Sequence, residues 1–136
     1  MRQINKIIIH CSDTRTDQDF DVSDIRQWHF ERGFKDVGYH YYIKLDGTLQ
    51  QGREVDKIGA HCKGENSDSI GVCFEGGKCS DGGHWATPTE AQIETGRTTI
   101  NSLRVVLGDC LPIHGHYEYS TKTCPNFDVN ILNFNI

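Results

Sequence analysis

The chain has 136 residues, of which 36% are apolar and 24% charged, and its formal net charge is −5. A chain of this length folds as one domain with a core of its own. Its lysines and arginines are scattered, which argues against binding nucleic acid or a membrane surface, since both need clustered basic residues. No stretch approaches the roughly 20 apolar residues of a membrane span.

The start of the chain and its cysteines both point to the cytoplasm. The apolar run near the start is short and ends in a histidine and then an aspartate, unlike a secretory signal peptide. We therefore expect the protein to stay in the cytoplasm on synthesis. Six cysteines in such a chain predict free thiols that pack as small hydrophobic groups, with one or more available as a metal ligand.

The first predicted elements are a strand and a helix. Residues 4–10 are rich in β-branched side chains and predict a strand that is buried on both faces. Residues 11–19 then predict a loop. Asp21 is a suitable cap for a helix that begins at Val22, and Gly33 is a suitable stop.

A hairpin and a further strand follow. Residues 39–45 and 48–51 predict its two strands, joined by a two-residue Asp-Gly turn at 46–47 that tolerates positive φ at both positions. Residues 69–75 predict another strand. The glycine-rich stretch 76–84 predicts a surface loop.

The last third predicts a long helix and a short strand. The sequence Thr-Pro-Thr-Glu at 87–90 predicts a capping box with Pro88 as the first helical residue, and Gly108 marks the end. Residues 111–116 predict the last strand, and residues 128–134 a helical turn. The helix carries one apolar stripe: Ile93, Ile100, Leu103 and Leu107. The order β-α-β-β-β-α-β predicts one α/β domain over residues 1–136, with a mixed central sheet flanked by helices.

Three of the seven histidines stand out by position. Most histidines have a purely structural role, and the full set is His10, His29, His40, His61, His84, His114 and His116. His10 ends a buried strand, at an edge where loops build sites. His114 and His116 alternate with Gly115 along a strand, so we expect both to face one side.

These histidines have a possible thiol partner in Cys124. Catalytic zinc sites commonly use three nitrogen and sulfur ligands and leave a fourth position to water. A first strand, a last strand and the loop after it are able to supply three such ligands. Lys122, two residues before Cys124, is then positioned to stabilise an oxyanion formed when water attacks a carbonyl. Alternatively, it is a solvated surface lysine.

The ordered motifs resemble those of a known family. IIIHCSDT, IRQWH, GYHYYIKLDGT, GAHCKG, SIGVC and KTCPNFD, taken in order, are similar to the type 2 N-acetylmuramoyl-L-alanine amidases. Within that family they resemble most the zinc amidase lysozymes of short-tailed coliphages, and more distantly the peptidoglycan recognition proteins. The resemblance runs from about residue 7 to 128, so it implies the same fold for nearly the whole chain.

The resemblance implies specific roles for five residues. His10, His116 and Cys124 match the zinc ligands, so the implied cofactor is Zn²⁺. Tyr39, the first tyrosine of GYHYY, matches a catalytic residue beside the metal, and Lys122 matches the second. The family pattern places the ligand six residues before the lysine, which selects His116.

Some assignments stay open in the sequence. His114 is the fallback ligand. Some bacterial branches use a glutamate from the strand that corresponds to residues 69–75 as the acid–base residue, and Glu75 is in that strand. Because the tyrosine–lysine pair is complete, a structural or substrate-side role is preferred for Glu75. His61 and Asn66 lie in a motif that is close to substrate in relatives, so they are candidate substrate-binding residues, or else structural parts of that loop.

The implied function is hydrolysis of peptidoglycan, at the amide between N-acetylmuramic acid and L-alanine of the stem peptide. The expected partner is peptidoglycan or a muropeptide, and the expected state is a monomer. A phage or prophage endolysin is the main interpretation. The alternatives are a cytosolic muropeptide-recycling amidase and a non-catalytic peptidoglycan-binding module. Coliphage relatives also bind their phage RNA polymerase, a partner that no surface pattern here reveals.

Overall fold

The computed structural model describes residues 2–85 and 87–133. The predicted terminal turn is present as a short 3-10 helix over Val129–Leu132, and its last predicted residue, 134, lies outside the described part. The described residues contain two α-helices, α1 Val22–Glu31 and α2 Glu90–Leu107. The strands are β1 Lys6–Cys11, β2 Thr14–Arg15, β3 Tyr41–Ile43, β4 Leu49–Gln51, β5 Ser69–Phe74, β6 Gly77–Lys78 and β7 Ile113–Gly115.

The central sheet is mixed, as predicted. Its strand order is β4-β3-β5-β1-β7, and only the edge strand β4 runs antiparallel to its neighbour. Because β1 and β7 are parallel neighbours, with Ile9 opposite Gly115, their carboxyl ends lie at the same edge of the sheet. Side chains that follow these two ends are therefore brought together.

The two faces of the sheet bury different side chains. Ile7, Ile9 and Cys11 of β1 alternate with Ile8 and His10, so odd and even positions face opposite sides. The odd positions join the larger core cluster, which includes Ile100 of α2. Tyr42 and Cys73 belong instead to a smaller cluster with Ile25 of α1. His10 is the register partner of Cys73 and lies on the face of this smaller cluster.

Both helices carry the predicted kinds of caps. Asp21 caps α1 by accepting from the backbone of Ser23 and Asp24. Helix α2 begins two residues later than predicted: Thr89 is the cap, its box partner is Gln92, and Pro88 lies before the helix. Gly108 ends α2, as predicted. Neither helix in the described part combines the length and apolarity that a bilayer-spanning segment requires.

Two loop predictions were incomplete. The hairpin turn runs over Lys44–Gly47, closed by the Gly47 N–H donating to the Lys44 carbonyl at 2.8 Å. Within this turn only Gly47 has positive φ, at +89°. The loop is therefore a three-residue turn, and the predicted two-residue turn with positive φ at both positions was wrong. The predicted loops 11–19 and 76–84 contain β2 and β6, which pair in parallel as a separate two-stranded sheet. Strands of two residues have no periodicity that a sequence reading can detect.

Candidate metal centre

Three donor atoms converge at the carboxyl ends of β1 and β7. His10, His116 and Cys124 each offer one ligand atom, and these atoms lie within 4.8 Å of one another. His10 is on β1 and almost fully buried, while His116 begins a 3-10 turn just after β7. Cys124 arrives from the following loop. The structure therefore brings together the three residues that the family resemblance selected.

His114 is not part of this cluster. The strand that was predicted to continue to residue 116 ends at Gly115, so the expected alternation of His114 and His116 on one face does not hold. The His114 Nδ1 lies 2.9 Å from a carboxylate oxygen of Glu118, and this pair is at the surface. His114 has its own partner and does not serve as the fallback ligand.

The electrostatics at Cys124 favour its thiolate form. Its Sγ accepts from the Cys11 backbone N–H at 3.2 Å. A hydrogen bond from the Cys11 thiol lowers the pKa of the Cys124 thiol. Burial lowers the pKa of His10 and keeps that imidazole neutral. A thiolate and neutral imidazoles are the forms in which these side chains bind metals.

His61 and Asn66 lie beside the cluster, in the loop before β5. The His61 Nδ1 is 2.8 Å from the His10 Nε2, and the His61 Nε2 is 3.3 Å from the Ser69 hydroxyl. Asn66 Oδ1 accepts from the backbone N–H groups of His61 and Cys62, each at 2.9 Å. Both His61 nitrogens therefore have protein partners, whereas the Asn66 side chain stays in contact with the groove.

Tyr39 packs directly on the histidine ligand. Its ring centroid is 5.1 Å from that of His10 and 5.4 Å from that of His29. The His29 Nδ1 accepts from the Gly38 N–H at 2.7 Å, and burial lowers the pKa of His29 to about 4. Burial, followed by the Cys73 thiol, raises the pKa of Tyr39 well above its usual value. The Tyr39 hydroxyl is thus protonated, on a ring that packs against one of the three donor residues.

The cluster opens into a groove of about 990 Å³. Arg32, Lys63 and Lys122 line it, and among the described residues none of the three has an ion pair with a carboxylate. Asp13 is the one acidic residue among the described lining residues, and its carboxylate is 3.7 Å from Lys78. The protein is acidic as a whole, yet this groove is basic.

Glu75 has a structural environment. Its side chain is 1% exposed, and it does not line the groove. One carboxylate oxygen accepts from the Phe20 N–H at 2.6 Å and the other from the Leu45 N–H at 2.9 Å. Glu75 therefore joins the segment before α1 to the loop after β3. Of the structural and substrate-side roles that the sequence left open, these contacts favour the structural one.

The remaining cysteines are free thiols, as predicted. Cys73 is buried on β5 and Cys79 is exposed, and no disulfide joins them. Cys11 belongs to the large core cluster, on the face of β1 opposite to His10.

Several groove residues were missed in the sequence. His29 was treated as structural, and Arg32 and Lys63 were not singled out. Ser69, which contacts His61 but does not line the groove, was read only as the start of a strand. The close approach of the His61 ring to β5 had one available signal in Gly71, because a glycine within an otherwise bulky strand commonly marks a close approach by another group. A Cβ built at Gly71 lies only 2.6 Å from the His61 ring.

Comparison with known sequences identifies similar proteins along almost the whole chain. Residues 1–127 match the N-acetylmuramoyl-L-alanine amidase family, Amidase_2. The endolysin of Klebsiella phage KP32 is 41% identical over 128 residues, which cover 94% of this chain and 84% of the relative. The endolysin of Escherichia phage T7 is 42% identical over 123 residues, covering 90% and 81%.

Solved structures show the same fold at lower identity. The N-acetylmuramoyl-L-alanine amidase LysC from Clostridium intestinale URNW superposes with a TM-score of 0.82 at 24% identity, covering 96% of this chain and 83% of that one. Drosophila PGRP-LB superposes with a TM-score of 0.78 at 23% identity, covering 92% and 76%. At this level of identity the likeness establishes the architecture alone.

Proposed function

The chain belongs to the N-acetylmuramoyl-L-alanine amidase family, and we propose that it is a zinc-dependent endolysin. In this proposal it hydrolyses the amide between N-acetylmuramic acid and L-alanine of the peptidoglycan stem peptide. The observation that carries the proposal is the convergence of His10, His116 and Cys124 within 4.8 Å at the floor of an open groove.

The donor set fits zinc. Two imidazoles and one thiolate are ligands that zinc prefers, and three protein ligands leave a fourth position open, as in zinc hydrolases. A zinc ion held by His10, His116 and Cys124 would supply Lewis acidity and lower the pKa of a water molecule to about 7. Calcium and magnesium fit poorly, because both prefer oxygen ligands.

The chain's own residues supply the other requirements of amide hydrolysis. Attack by water on the carbonyl carbon places negative charge on the carbonyl oxygen. The Lys122 ammonium lines the groove and has no ion pair with a carboxylate of the described residues. It stabilises that charge more in the transition state than in the ground state. The hydroxyl of Tyr39, whose ring packs on that of His10, orients the attacking water or relays its proton.

The groove also fits the charge of the proposed substrate. Stem peptides carry free carboxylates, and Arg32 and Lys63 present cations that no carboxylate of the described chain neutralises. Such a concentration of one sign of charge in a cleft attracts ligands of the opposite sign. The Asn66 Oδ1 already accepts from two backbone N–H groups. The NH₂ group of the same side chain is a further donor for the peptide.

The reaction is tested by mass spectrometry of material released from purified peptidoglycan sacculi. The proposal expects stem peptides with a free L-alanine amino group, lost after chelation and restored by zinc. Cys124→Ala should lose both zinc and release, with Cys110→Ala, at an exposed cysteine outside the groove and the donor cluster, as the matched control. Zinc-dependent binding without release would instead indicate a recognition module. Release only from soluble muropeptides would indicate a recycling amidase.

A further inference from the structure

We propose that His61 is a positioning residue, which holds the His10 imidazole so that its Nδ1 atom is the one presented to the metal. This inference rests on the proposed zinc site. It concerns an interaction between two protein side chains, so it is testable in the metal-free protein as well as through metal affinity.

The direction of the hydrogen bonds follows from Ser69. Its hydroxyl donates its single proton to the Glu65 carbonyl oxygen, 2.7 Å away, because a carbonyl only accepts. The Ser69 oxygen, 3.3 Å from the His61 Nε2, is then left as an acceptor. The His61 proton therefore resides on Nε2, and its Nδ1 is an acceptor.

The same reasoning extends to His10. The His61 Nδ1 is 2.8 Å from the His10 Nε2, so His10 donates through Nε2. A neutral imidazole carries one ring proton, which leaves the His10 Nδ1 bare. The outer partner of a metal-bound histidine selects its tautomer and orientation in this way.

The fold is built around the His61 ring. A Cβ at Gly71 would lie 2.6 Å from the ring, and one at Gly59 would lie 2.7 Å from it. Both distances are too short for any real side chain, so both positions admit only glycine with the ring in place. Asn66 holds the backbone of His61 from the other side of the loop. The ring is thus confined between β5 and its own loop, with both nitrogens engaged by protein.

This confinement separates positioning from substrate binding. A histidine that binds substrate needs a ring nitrogen directed at the groove, whereas both nitrogens of His61 point to Ser69 and His10. Its removal should therefore change metal affinity before it changes the affinity for peptide.

The test combines tautomer and affinity measurements. Nitrogen-15 NMR of the histidines in the metal-free protein reports which ring nitrogen of His10 carries the proton. Zinc affinity is measured by chelator competition for wild type, His61→Ala and His61→Asn. His84→Ala, at a histidine outside the donor cluster, is the matched control for zinc affinity. Asparagine places its amide oxygen near the position of Nδ1, so it restores the acceptor for His10.

We expect a proton on the His10 Nε2, a zinc-induced shift at Nδ1, and a loss of zinc affinity of about 10- to 100-fold in His61→Ala. His61→Asn should recover most of that affinity, and His84→Ala should match wild type. Wild-type zinc affinity in a folded His61→Ala, or a proton on the His10 Nδ1, overturns the inference. If His61→Ala does not fold, the wild-type NMR result and the affinity of Ser69→Ala decide it. Wild-type protein that binds no zinc would instead overturn the proposed function.

Discussion

Replacing Glu75 by glutamine separates a structural carboxylate from a catalytic one. The Glu75 carboxylate is buried and accepts from two backbone N–H groups, of Phe20 and Leu45. Glutamine has nearly the same shape but offers only one oxygen. Its NH₂ group must then face one of the two backbone N–H groups, and at that position neither the NH₂ group nor the backbone N–H has an acceptor.

The expected destabilisation follows from these two hydrogen bonds. A hydrogen bond to a charged group contributes about 1.5–3 kcal/mol, a neutral one about 1 kcal/mol, and a buried unsatisfied donor costs about 1–3 kcal/mol. One bond is weakened and the other is lost, while the amide is less costly to bury than a carboxylate. We expect the free energy of unfolding to fall by about 2–4 kcal/mol, or the midpoint temperature by roughly 6–12 °C for a domain of this size.

Urea unfolding and turnover on muropeptides, measured on the same zinc-loaded samples, check this prediction. Turnover per folded molecule should stay at the wild-type level, because Glu75 does not line the groove. Glu94→Gln, at an exposed position on α2, is the matched control and should change stability by less than about 0.5 kcal/mol. An unchanged unfolding free energy together with a large loss of turnover would refute the reasoning and assign Glu75 an acid–base role.

Three further predictions concern the groove and the buried histidines. Lys122→Ala should keep its zinc, as measured by metal analysis, and lose turnover by about 10²- to 10³-fold; loss of zinc would contradict its assigned role. Arg32→Gln with Lys63→Gln should raise KM for carboxylate-bearing peptides and weaken its dependence on salt, while peptides with amidated carboxylates serve as the control. An unchanged KM would count against the basic groove. Burial lowers the pKa of both His29 and His40 to about 4, from 6.5, so the unfolded chain binds protons that the folded one excludes. The unfolding free energy of the metal-free protein should therefore have its full value above about pH 6.5 and fall as the pH drops towards 4. An unfolding free energy that does not change with pH over that range would be inconsistent with buried neutral histidines.

Local patterns in the chain were sufficient to predict the helices, the main strands and the types of residue available as metal ligands. The β-branched run through Ile9 predicted the central strand, and Asp21 and Gly108 marked helix ends whose caps the structure contains. These signals act over a few residues, through backbone hydrogen bonds and side-chain alternation, so they are legible without the fold. The start of α2 shows the limit: Thr87 and Thr89 each begin a sequence that suits a capping box, and the structure contains the second.

Which histidine joins the cluster was decided by tertiary structure. Strand alternation alone made His114 and His116 equivalent, but β7 ends at Gly115 and the turn after it carries His116 to the cluster and leaves His114 with Glu118. The family resemblance had selected His116 from ordered motifs, not from a physical property of the residue.

The sequence by itself determined a mixed α/β domain, its principal elements and a set of histidines and cysteines suited to a metal. Tertiary structure alone decided that His61 contacts His10, that Glu75 is bound by two loops, and that Arg32 and Lys63 share a groove. The physical reason is distance along the chain: His10 and His61 are 51 residues apart. Contacts of that range leave no periodicity in the sequence, and they exist only once parallel strands bring their carboxyl ends to one edge of the sheet.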